Sequence, residues 1–542
     1  MAMDVLWKRL RGDGGRRRWL AAGMVLVLML VGASLFAQTI TVLHVNDTHS
    51  HLAKWGPKDG NLDGTLGGIA KAATVIGTVK ATEPNVLVLH AGDIFHGDLI
   101  FNTTFGVADL QLLKQIGFDA TAVGNHEFDY GPDALAYALG QAYGASTLPL
   151  LSANLDTSAY PALNTWIKPS IIKDVGGVKV GIFGMTVPNV PTSRPAPVVI
   201  LGGDDPAVIL GIAGQTAGAL RAAGAQVVIM LSHLGYAYDQ AVASNVPGID
   251  IIVGGHDHYT FPQPHVFTNP GGTTTVLQAG KFYQYVGKLR FTYANGQVFV
   301  DDYALIPLDE TVPDAPPIAA AVAQVQQMVV QKFGDVYHTV LATADRDVTT
   351  TYDPAGRVRD TGMGNLITDA MRWKTHTDVA VTPNGLISEG LVQGPIVGDD
   401  LFRPVSYGYD PATGLGLKVA TFKIRGDQLA LGLAIGLSFL PYEDVFLQAS
   451  GIKFKYDSSK EDMYRLKIRS VRIKGKPLKL GKTYTATANT GVVALLPMMG
   501  ITVTDVQILP DFEYTVLKEY VEHLGTVKYK AYGRIKDVAA GH

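Results

Sequence analysis

The chain reads Gly124-Asn125-His126-Glu127-Phe128-Asp129 directly after a short apolar run, and this hexapeptide sets the pattern for the first half of the protein. Four further polar segments also follow apolar runs, namely Asp47-Thr48-His49, Gly92-Asp93, His233 and Gly254-Gly255-His256-Asp257-His258. Short runs rich in Val, Ile and Leu are typical of buried strands. Because open α/β sheets build their sites at the carboxyl ends of strands, the five segments are predicted to meet in space.

The polar residues of these segments are nitrogen and oxygen donors that bind transition metals. The seven candidate ligands are Asp47, His49, Asp93, Asn125, His233, His256 and His258. Carboxylates mixed with neutral imidazoles suit Mn, Fe, Co or Zn better than Ca or Mg. Two such ions can hold the attacking and leaving oxygens of an in-line displacement, and they need a bridging ligand. Asp93 stands alone after its strand and is the expected bridge.

Composition limits the possible partners. A chain of 542 residues is too long for one hydrophobic core and is expected to form two or more domains. There is no cysteine, so neither disulfides nor thiolate ligands are available. Without residues 1–37, 39 basic and 46 acidic residues remain, a net charge of −7. Such a surface does not attract nucleic acid polymers, so we expect a small-molecule substrate.

The amino terminus is typical of an export signal. Six basic residues between Lys8 and Arg18 precede an uncharged apolar run over 19–37. Cleavage after Ala33 or Ala37 and retention as a membrane anchor are both compatible with this pattern, and residues 16–20 resemble a twin-arginine signal. The sequence therefore predicts a periplasmic, extracellular or cell-surface protein.

Alternation of strand-like and helix-like segments predicts an α/β domain up to about residue 310. The predicted strands are 39–45, 85–91, 179–185, 226–232 and 250–254, and the predicted helices are 67–80, 132–143 and 206–223. A hairpin over 285–293 and 298–304, with the turn Asn295-Gly296, closes this domain. A segment rich in proline and acidic residues at 307–317 and a helix over 318–332 then form a predicted linker.

The second half is predicted to be a separate domain with its own helices and strands. Helices are predicted over 364–374 and 427–436, and strands over 418–424, 452–456, 466–473 and 483–488. We therefore divide the chain into an export segment (1–37), a catalytic domain (38–310), a linker (311–335) and a carboxyl-terminal domain (336–542).

The ordered motifs DxH, GD, GNHEFD, H and GGHxH resemble those of the two-domain 5'-nucleotidases, within the calcineurin-like metallophosphoesterases. The resemblance continues over residues 357–370, 481–484 and 533–535. It implies a four-layer αββα metallophosphoesterase domain followed by a separate α+β substrate-binding domain. It also implies a hydrolase of phosphoric esters that acts through a metal-activated hydroxide.

The resemblance assigns roles to the individual residues. Asp47, His49 and His258 would hold one divalent ion, Asn125, His233 and His256 would hold the other, and Asp93 would be shared. His126 would be catalytic and would stabilise charge on the transferred phosphoryl group, with Asp129 orienting its ring. The remaining histidines of this half, His44, His51, His90, His96 and His265, are interpreted as core residues.

The resemblance becomes uneven where the family binds its substrate. The arginine of an NGGGIR motif is replaced by Ser388, a PFGN motif becomes Ser406-Tyr407-Gly408, and a third motif is unrecognisable over 489–500. A hydroxyl group cannot reproduce the two-pronged contact of arginine with phosphate. Tyr407, Arg359 and Asn384 are the candidate substrate-binding residues that remain, and Arg403 is a further basic candidate.

Three functions are therefore compared. The first is hydrolysis of nucleotides or related small phosphoesters. The second is a thiosulfohydrolase of sulfur oxidation, because that enzyme resembles the same family. The third is a surface-binding protein without turnover, which the altered substrate segments favour and the complete set of metal ligands disfavours.

Overall fold

The structure is a computed structural model that describes residues 37–143, 148–190, 193–203, 205–353, 355–440 and 443–540. The export signal predicted for residues 1–37 lies, except for its last residue, outside the described residues. Within the described ranges, no helix has both the length and the apolar character needed to cross a bilayer.

The first half contains two large sheets flanked by helices. Its strands are β1 (Gln38–Val45), β2 (Trp55–Lys58), β3 (Gly64–Leu66), β4 (Val86–His90), β5 (Ala120–Ala122), β6 (Leu150–Leu151), β7 (Leu155–Asp156), β8 (Ile167–Lys168), β9 (Ser170–Val175), β10 (Val178–Thr186), β11 (Val199–Ile200), β12 (Val227–His233), β13 (Ile251–Gly254), β14 (His265–Asn269), β15 (Gly272–Leu277), β16 (Tyr285–Ala294) and β17 (Gln297–Pro307). Its helices are α1 (Ile69–Thr82), α2 (Leu99–Thr104), α3 (Val107–Ile116), α4 (Gly131–Tyr143), α5 (Pro206–Ala222) and α6 (Tyr236–Asn245).

The two sheets pack face to face. One has the strand order β17-β16-β1-β4-β5-β6-β8, and the other has the order β14-β15-β13-β12-β10-β9. Side chains alternate between the faces of a strand, and β1 shows the result. Ile40 and Val42 face the second sheet, where they share a core with Ile182, Ile229 and Leu231. The intervening residues of β1 face the helices.

Helices cover the outer faces of both sheets. Leu43 and Val45 of β1 pack in a core with Ile69 and Ile76 of α1. On the far side, Phe183 of β10 belongs to a core that also includes residues of α5 and α6. The layers thus run helix, sheet, sheet, helix, and the predicted four-layer fold is confirmed.

The second half begins after a long helix, α7 (Pro316–Phe333). Its strands are β18 (Ala342–Ala344), β19 (Val379–Pro383), β20 (Gly394–Ile396), β21 (Lys418–Arg425), β22 (Leu447–Ser450), β23 (Ile452–Tyr456), β24 (Arg472–Ile473), β25 (Lys476–Pro477), β26 (Thr483–Asn489), β27 (Val503–Phe512), β28 (Thr526–Val527) and β29 (Ile535–Asp537). Its helices are α8 (Gly362–Thr375), α9 (Gly398–Phe402), α10 (Gly426–Ser438), α11 (Thr490–Leu495) and α12 (Glu513–Leu524).

A five-stranded sheet with the order β22-β19-β26-β21-β27 organises this half. It is mixed, because β19 and β26 are parallel while its other pairs are antiparallel. Helices α8 and α12 share one core with Ala380 and Val419 of the sheet, whereas α10 and α11 share another core with Val379 and Phe422. The predicted α+β class of the second half is confirmed.

The predicted strands and helices of both halves agree with the structure in type, with one exception. Residues 466–473, predicted as one strand, form a turn of 3-10 helix at Ile468–Ser470 and a two-residue strand, Arg472–Ile473. The alternating apolar residues of this segment are compatible with a strand. However, the Ser470 hydroxyl and backbone N–H both donate to Lys467 O, at 2.6 and 2.7 Å, and close a local turn instead.

The halves are joined by a continuous core and by buried ion pairs. Val322, Val325 and Val329 of α7 belong to one hydrophobic cluster with residues of both halves. Arg403 in the second half is 3% exposed and donates from Nε to Asp98 Oδ2 of the first half at 2.9 Å. Its guanidinium also donates to Asp399. These contacts place residues 403–407 directly over the strand ends of the first half.

Candidate metal centre

The seven candidate ligands lie at the ends of strands from both sheets. Asp47 and His49 follow β1, Asp93 follows β4, and Asn125 follows β5 of the first sheet. His233 ends β12, while His256 and His258 follow β13 of the second sheet. The carboxyl ends of these parallel strands come together where the two sheets meet. The structure therefore brings together all seven residues that the motifs predict.

One group of donors consists of Asp47, His49 and His258. The Nε2 atoms of His49 and His258 are 3.1 Å apart, and His258 Nε2 is 3.4 Å from Asp47 Oδ1. His49 Nε2 also lies 3.8 Å from Oδ2 of Asp93. The three side chains thus point their donor atoms into one small space.

A second group consists of Asp93, His233 and His256. Asp93 Oδ2 is 3.0 Å from His233 Nε2, and His256 Nδ1 is 3.1 Å from the side-chain oxygen of Asn125. Because Asp93 is close to His49 as well as to His233, its carboxylate lies between the two groups. This is the position expected of a bridging ligand.

Hydrogen bonds indicate which ring nitrogens face the donor cluster. His49 Nδ1 is 3.2 Å from Phe95 O, and His233 Nδ1 is 2.8 Å from Ala91 O. A carbonyl oxygen only accepts, so each Nδ1 carries a proton and each Nε2 is the nitrogen that faces the cluster. Although burial opposes the charged ring, the carboxylates of Asp93 and Asp47 raise the pKa of His233 to about 10, and a bound cation would take the place of its Nε2 proton. Burial lowers the pKa of His49 well below its usual value, which favours the neutral ring.

Imidazole nitrogens and carboxylates therefore face one another in a buried space, an arrangement that a divalent cation stabilises. His233 Nε2 is fully buried and makes no hydrogen bond of normal geometry with any of the described residues. Asp47 and Asp93 are at most 1% exposed. Buried charges of this kind are normally paired or coordinate metals, so the residues present fit a metal centre.

The backbone at the ligands is strained in the way typical of functional sites. Asp47, His49, Asp93, His256 and His258 have φ angles of 50°, 47°, 56°, 80° and 60°. The left-handed region costs a non-glycine residue about 1–3 kcal/mol and persists where the surroundings enforce it. The N–H of His256, for example, donates to Asp47 Oδ1 at 3.0 Å.

His126 and Asp129 form a pair beside the cluster. His126 Nδ1 donates to Asp129 Oδ2 at 2.7 Å, while Nε2 lies 4.0 Å from Asp93 Oδ2. A turn of 3-10 helix, His126–Phe128, brings the two side chains to the same side. Although burial opposes the charged ring, the carboxylates of Asp129 and Asp93 raise the pKa of His126 to about 9. Positive charge is thereby favoured next to the donor cluster.

Glu127 has a structural role that the motif alone does not reveal. Its buried carboxylate accepts hydrogen bonds from the backbone N–H groups of Gly124, Asp93, Ile94 and Phe95. These donors belong to the loops that follow β4 and β5. Glu127 therefore ties together the loops that carry Asp93, Asn125 and His126.

His96, interpreted from sequence as a core histidine, also lies at the centre. Its ring stacks on that of His126, with centroids 5.0 Å apart and planes 9° apart. The only sequence signal is its place three residues after Asp93. His51 is likewise close to the boundary between the halves, where it bonds Glu389.

The three predicted substrate-binding residues lie in different surroundings. The ring of Tyr407 is 4.4 Å from that of His96 and 6.0 Å from that of His126. Asn384 accepts from the Gln448 amide at 2.9 Å. Arg359 lies over the Tyr352 ring and 3.9 Å from Asp537 Oδ2, within its own half. Of these three residues, the structure thus brings Tyr407 next to the metal centre.

The segment 489–500, which lacks a recognisable motif, is buried at a few positions and exposed at others, among them Met498. Asn489 caps α11, and Val492 and Leu496 are buried in the core shared with α10. An apolar cavity of about 80 Å³ lies between these helices. The start of the segment approaches the surroundings of Tyr407 at Gly491, where the Leu417 side chain separates it from Gly408.

Comparisons with known proteins agree with this arrangement. Residues 40–260 match the family described as calcineurin-like phosphoesterase, and residues 340–494 match the 5'-nucleotidase C-terminal domain. The trifunctional nucleotide phosphoesterase protein YfkN of Bacillus subtilis is 28% identical over 92% of the chain, which spans 35% of that longer protein. The 5'-nucleotidase of Mus musculus is 27% identical, with 93% of this chain and 92% of the relative covered.

Two solved structures are similar to this chain over most of its length. A 5'-nucleotidase precursor from Thermus thermophilus is 29% identical with a TM-score of 0.79, and 92% of this chain and 99% of that chain are covered. The sulfate thiohydrolase SoxB of Thermus thermophilus shares the fold, with a TM-score of 0.72 and 19% identity over 92% of this chain and 96% of that chain.

The fold and the donor cluster define a metallophosphoesterase of the calcineurin-like class. Both family matches occur in one chain and in the expected order. The chain belongs to the two-domain 5'-nucleotidase family.

Replacing Glu127 by Gln tests how the loops are held together. An amide has one oxygen acceptor and would direct N–H groups at the backbone donors of 93–95 and 124. We expect the free energy of unfolding to fall by about 1–3 kcal/mol, the cost of leaving buried polar groups unsatisfied. Chemical denaturation followed by circular dichroism measures this loss. Glu522→Gln on the exposed face of α12 is the matched control, and an equal effect of both substitutions would refute the role of Glu127.

Proposed function

We propose that the protein is a hydrolase with two divalent metal ions that cleaves the phosphoester bonds of nucleotides or related small phosphoesters. The observation that carries this proposal is the meeting of two donor groups around Asp93, with the His126–Asp129 pair beside them. A metal site that only stabilises the fold would not need the imidazole of His126, which is oriented by Asp129 and faces the carboxylate of Asp93.

Each ion would have its own set of ligands. Asp47, His49 and His258 would hold one ion, Asn125, His233 and His256 would hold the other, and Asp93 would contact both. The neutral imidazoles and oxygens of this set suit Mn, Zn, Fe or Co. When bound, such ions neutralise charge on phosphoryl oxygens and lower the pKa of water.

The remaining residues of the site would bind and orient the substrate. Asp129 fixes the Nδ1 proton of His126, so that Nε2 faces the space in front of Asp93. There it can contact an oxygen of the phosphoryl group as negative charge develops. Ser406 and Tyr407 of the second half border this space through their contacts with His96 and His126.

The part of the bound substrate beyond its phosphoryl group would extend from the metal centre toward the side that is open to solvent. The side chain of His258 is 32% accessible and marks that side, whereas the side chains of Asp47 and His233 are fully buried. Tyr407 would offer an aromatic face to the base of a nucleotide, which stays attached to the nucleoside that leaves, or to another flat part of the substrate. Arg359 and Asn384 stay predictions taken from the family resemblance.

Hydrolysis and its metal dependence can be tested together. We expect release of phosphate from nucleoside monophosphates, loss of activity after chelation and recovery with added Mn. His126→Ala is expected to lower kcat by about 10²–10⁴-fold, the usual contribution of a positioned acid or base. His338→Ala, at an exposed histidine, is the matched control and should retain full activity.

The same assay separates the competing functions. Cyclic nucleotides, UDP-sugars and a sulfur-carrier conjugate are supplied alongside the nucleotides. If the protein turns over only the sulfur-carrier conjugate, the proposed substrate class is wrong and the thiosulfohydrolase function takes its place. The absence of turnover by a protein that contains its metal ions would favour a binding role.

Tyr407→Ala tests the aromatic contact. Loss of one stacking partner costs about 1–3 kcal/mol per base, so KM for a nucleotide should rise roughly five- to 150-fold. KM for a simple alkyl phosphate should hardly change, because it has no ring to stack. Tyr464→Ala, at a tyrosine that is 79% exposed, is the control. Equal changes for both substrates would contradict stacking.

We also propose that residues 1–37 direct export, so that the enzyme meets its substrate outside the cytoplasm. Cell fractionation should place the full-length protein outside the cytoplasm, in soluble form after cleavage or on the membrane if the segment is retained. Replacing residues 16–18 by Gln should keep it inside, because the signal needs its positive region. Unchanged export of that variant would contradict the assignment.

A further inference from the structure

His96 occupies a position that its loop reaches only under strain. Its φ angle is 73°, and three further residues of the loop from Gly92 to Gly97 have positive φ angles, Gly92 at 91°, Asp93 at 56° and Gly97 at 111°. A Cβ atom at Gly97 would lie 2.7 Å from His49 O. Backbone strain of this kind persists where surrounding contacts enforce it, and it clusters at functional sites.

The contacts of His96 point to one neighbour in particular. Its ring is 2% exposed and lies parallel to the ring of His126. Its Nδ1 atom is buried without a hydrogen-bond partner among the described residues and is 3.9 Å from Asp129 Oδ2. The hydrogen bond from His126 to Asp129 is much shorter, so the main contact of His96 with the pair is through its flat face.

The opposite side of His96 faces the second half. Its Nε2 lies 3.4 Å from the Ser406 hydroxyl, and the Tyr407 ring is 4.4 Å from the imidazole. Ser406 Oγ is in turn 3.3 Å from the hydroxyl of Ser388. His96 is therefore enclosed between His126 of the first half and residues 406–407 of the second.

A second contact is needed to fix the ring of His126. The ring turns only about the Cα–Cβ and Cβ–Cγ bonds, and one hydrogen bond to Asp129 restrains these two torsions together without fixing each of them. The edge of His49 also touches the ring, with centroids 5.2 Å apart and planes 79° apart. A parallel ring on one face restricts the remaining change of the ring plane and so sets the direction in which Nε2 points.

We propose that His96 is a positioning residue that sets the plane of the His126 ring and couples this plane to Ser406 and Tyr407 of the second half. This inference rests on the proposed function, because it assigns His126 to the reaction. Its consequence is that the second half influences the orientation of His126 as well as the binding of substrate.

A double-variant cycle tests this positioning role. His96→Asn suits the left-handed backbone, keeps a polar side chain and removes the ring. We expect kcat to fall about tenfold to a hundredfold, as a small misplacement of a catalytic group can cost, while KM changes less than threefold. In the His126→Ala background, the same substitution should change kcat less than twofold, because its effect passes through His126. Equal losses in both backgrounds would overturn the proposal.

His96→Phe separates stacking from polar contact. Phenylalanine keeps a flat ring against His126 but lacks both nitrogens, so this variant should retain a larger share of kcat than His96→Asn. Thermal unfolding and metal content are measured for both variants, and comparable values exclude a general loss of structure. If the Phe variant folds but loses as much kcat as the Asn variant, the ring face is not the cause.

Crystal structures make the test independent of turnover. In His96→Asn the ring plane of His126 should be turned, through changed side-chain torsions, relative to the unsubstituted protein, and in His96→Phe it should not. An unchanged ring in His96→Asn would refute the inference even if the chain hydrolyses phosphoesters. A rotated ring in a protein without phosphoesterase activity would refute only the proposed reaction.

Discussion

The rest of the structure depends on an electrostatic constraint at the junction of the two sheets. Asp47 and Asp93 are buried there, and the Nε2 atoms of His49 and His233 face the same space. Two buried carboxylates so close together need positive charge beside them, from protonated imidazoles or from a metal ion. The close packing of the two sheets and the network around Glu127 keep these groups together, in spite of the left-handed backbone at five ligands. The buried carboxylates and the strained backbone therefore lower the stability of the fold, but they hold the donor atoms in a defined arrangement.

Much of the fold and of the donor cluster could be predicted from the sequence, for a local reason. Each ligand follows an apolar run that forms a strand. Because parallel strands have their carboxyl ends at one edge of the sheet, ligands that are far apart in the sequence come close together in space. The hairpin at Asn295-Gly296 and helix α7 are also encoded locally. Residues 466–473 could not be predicted from alternation, because the hydroxyl and N–H of Ser470 donate to Lys467 O and close a turn.

The unpredicted features of the site depend on contacts between distant parts of the chain. Nothing near His96 in the sequence indicates that its ring will face His126, 30 positions later, or Ser406 in the other half. Arg403 has the local partner Asp399, but nothing in the sequence near it reveals its pairing with Asp98, 305 positions earlier. Substrate residues share this difficulty, because Tyr407 reaches the centre only through the packing of one half on the other.

Asp98 performs two tasks at once, since it caps helix α2 through the N–H of Ile100 and accepts from Arg403. It lies five residues after Asp93 in the same loop. Modular evolution is therefore restricted in this chain. A recombinant that acquired a foreign second half without a basic group at position 403 would leave the Asp98 charge buried and unpaired. A different second half can therefore replace this one only if it also supplies the arginine that neutralises the Asp98 carboxylate.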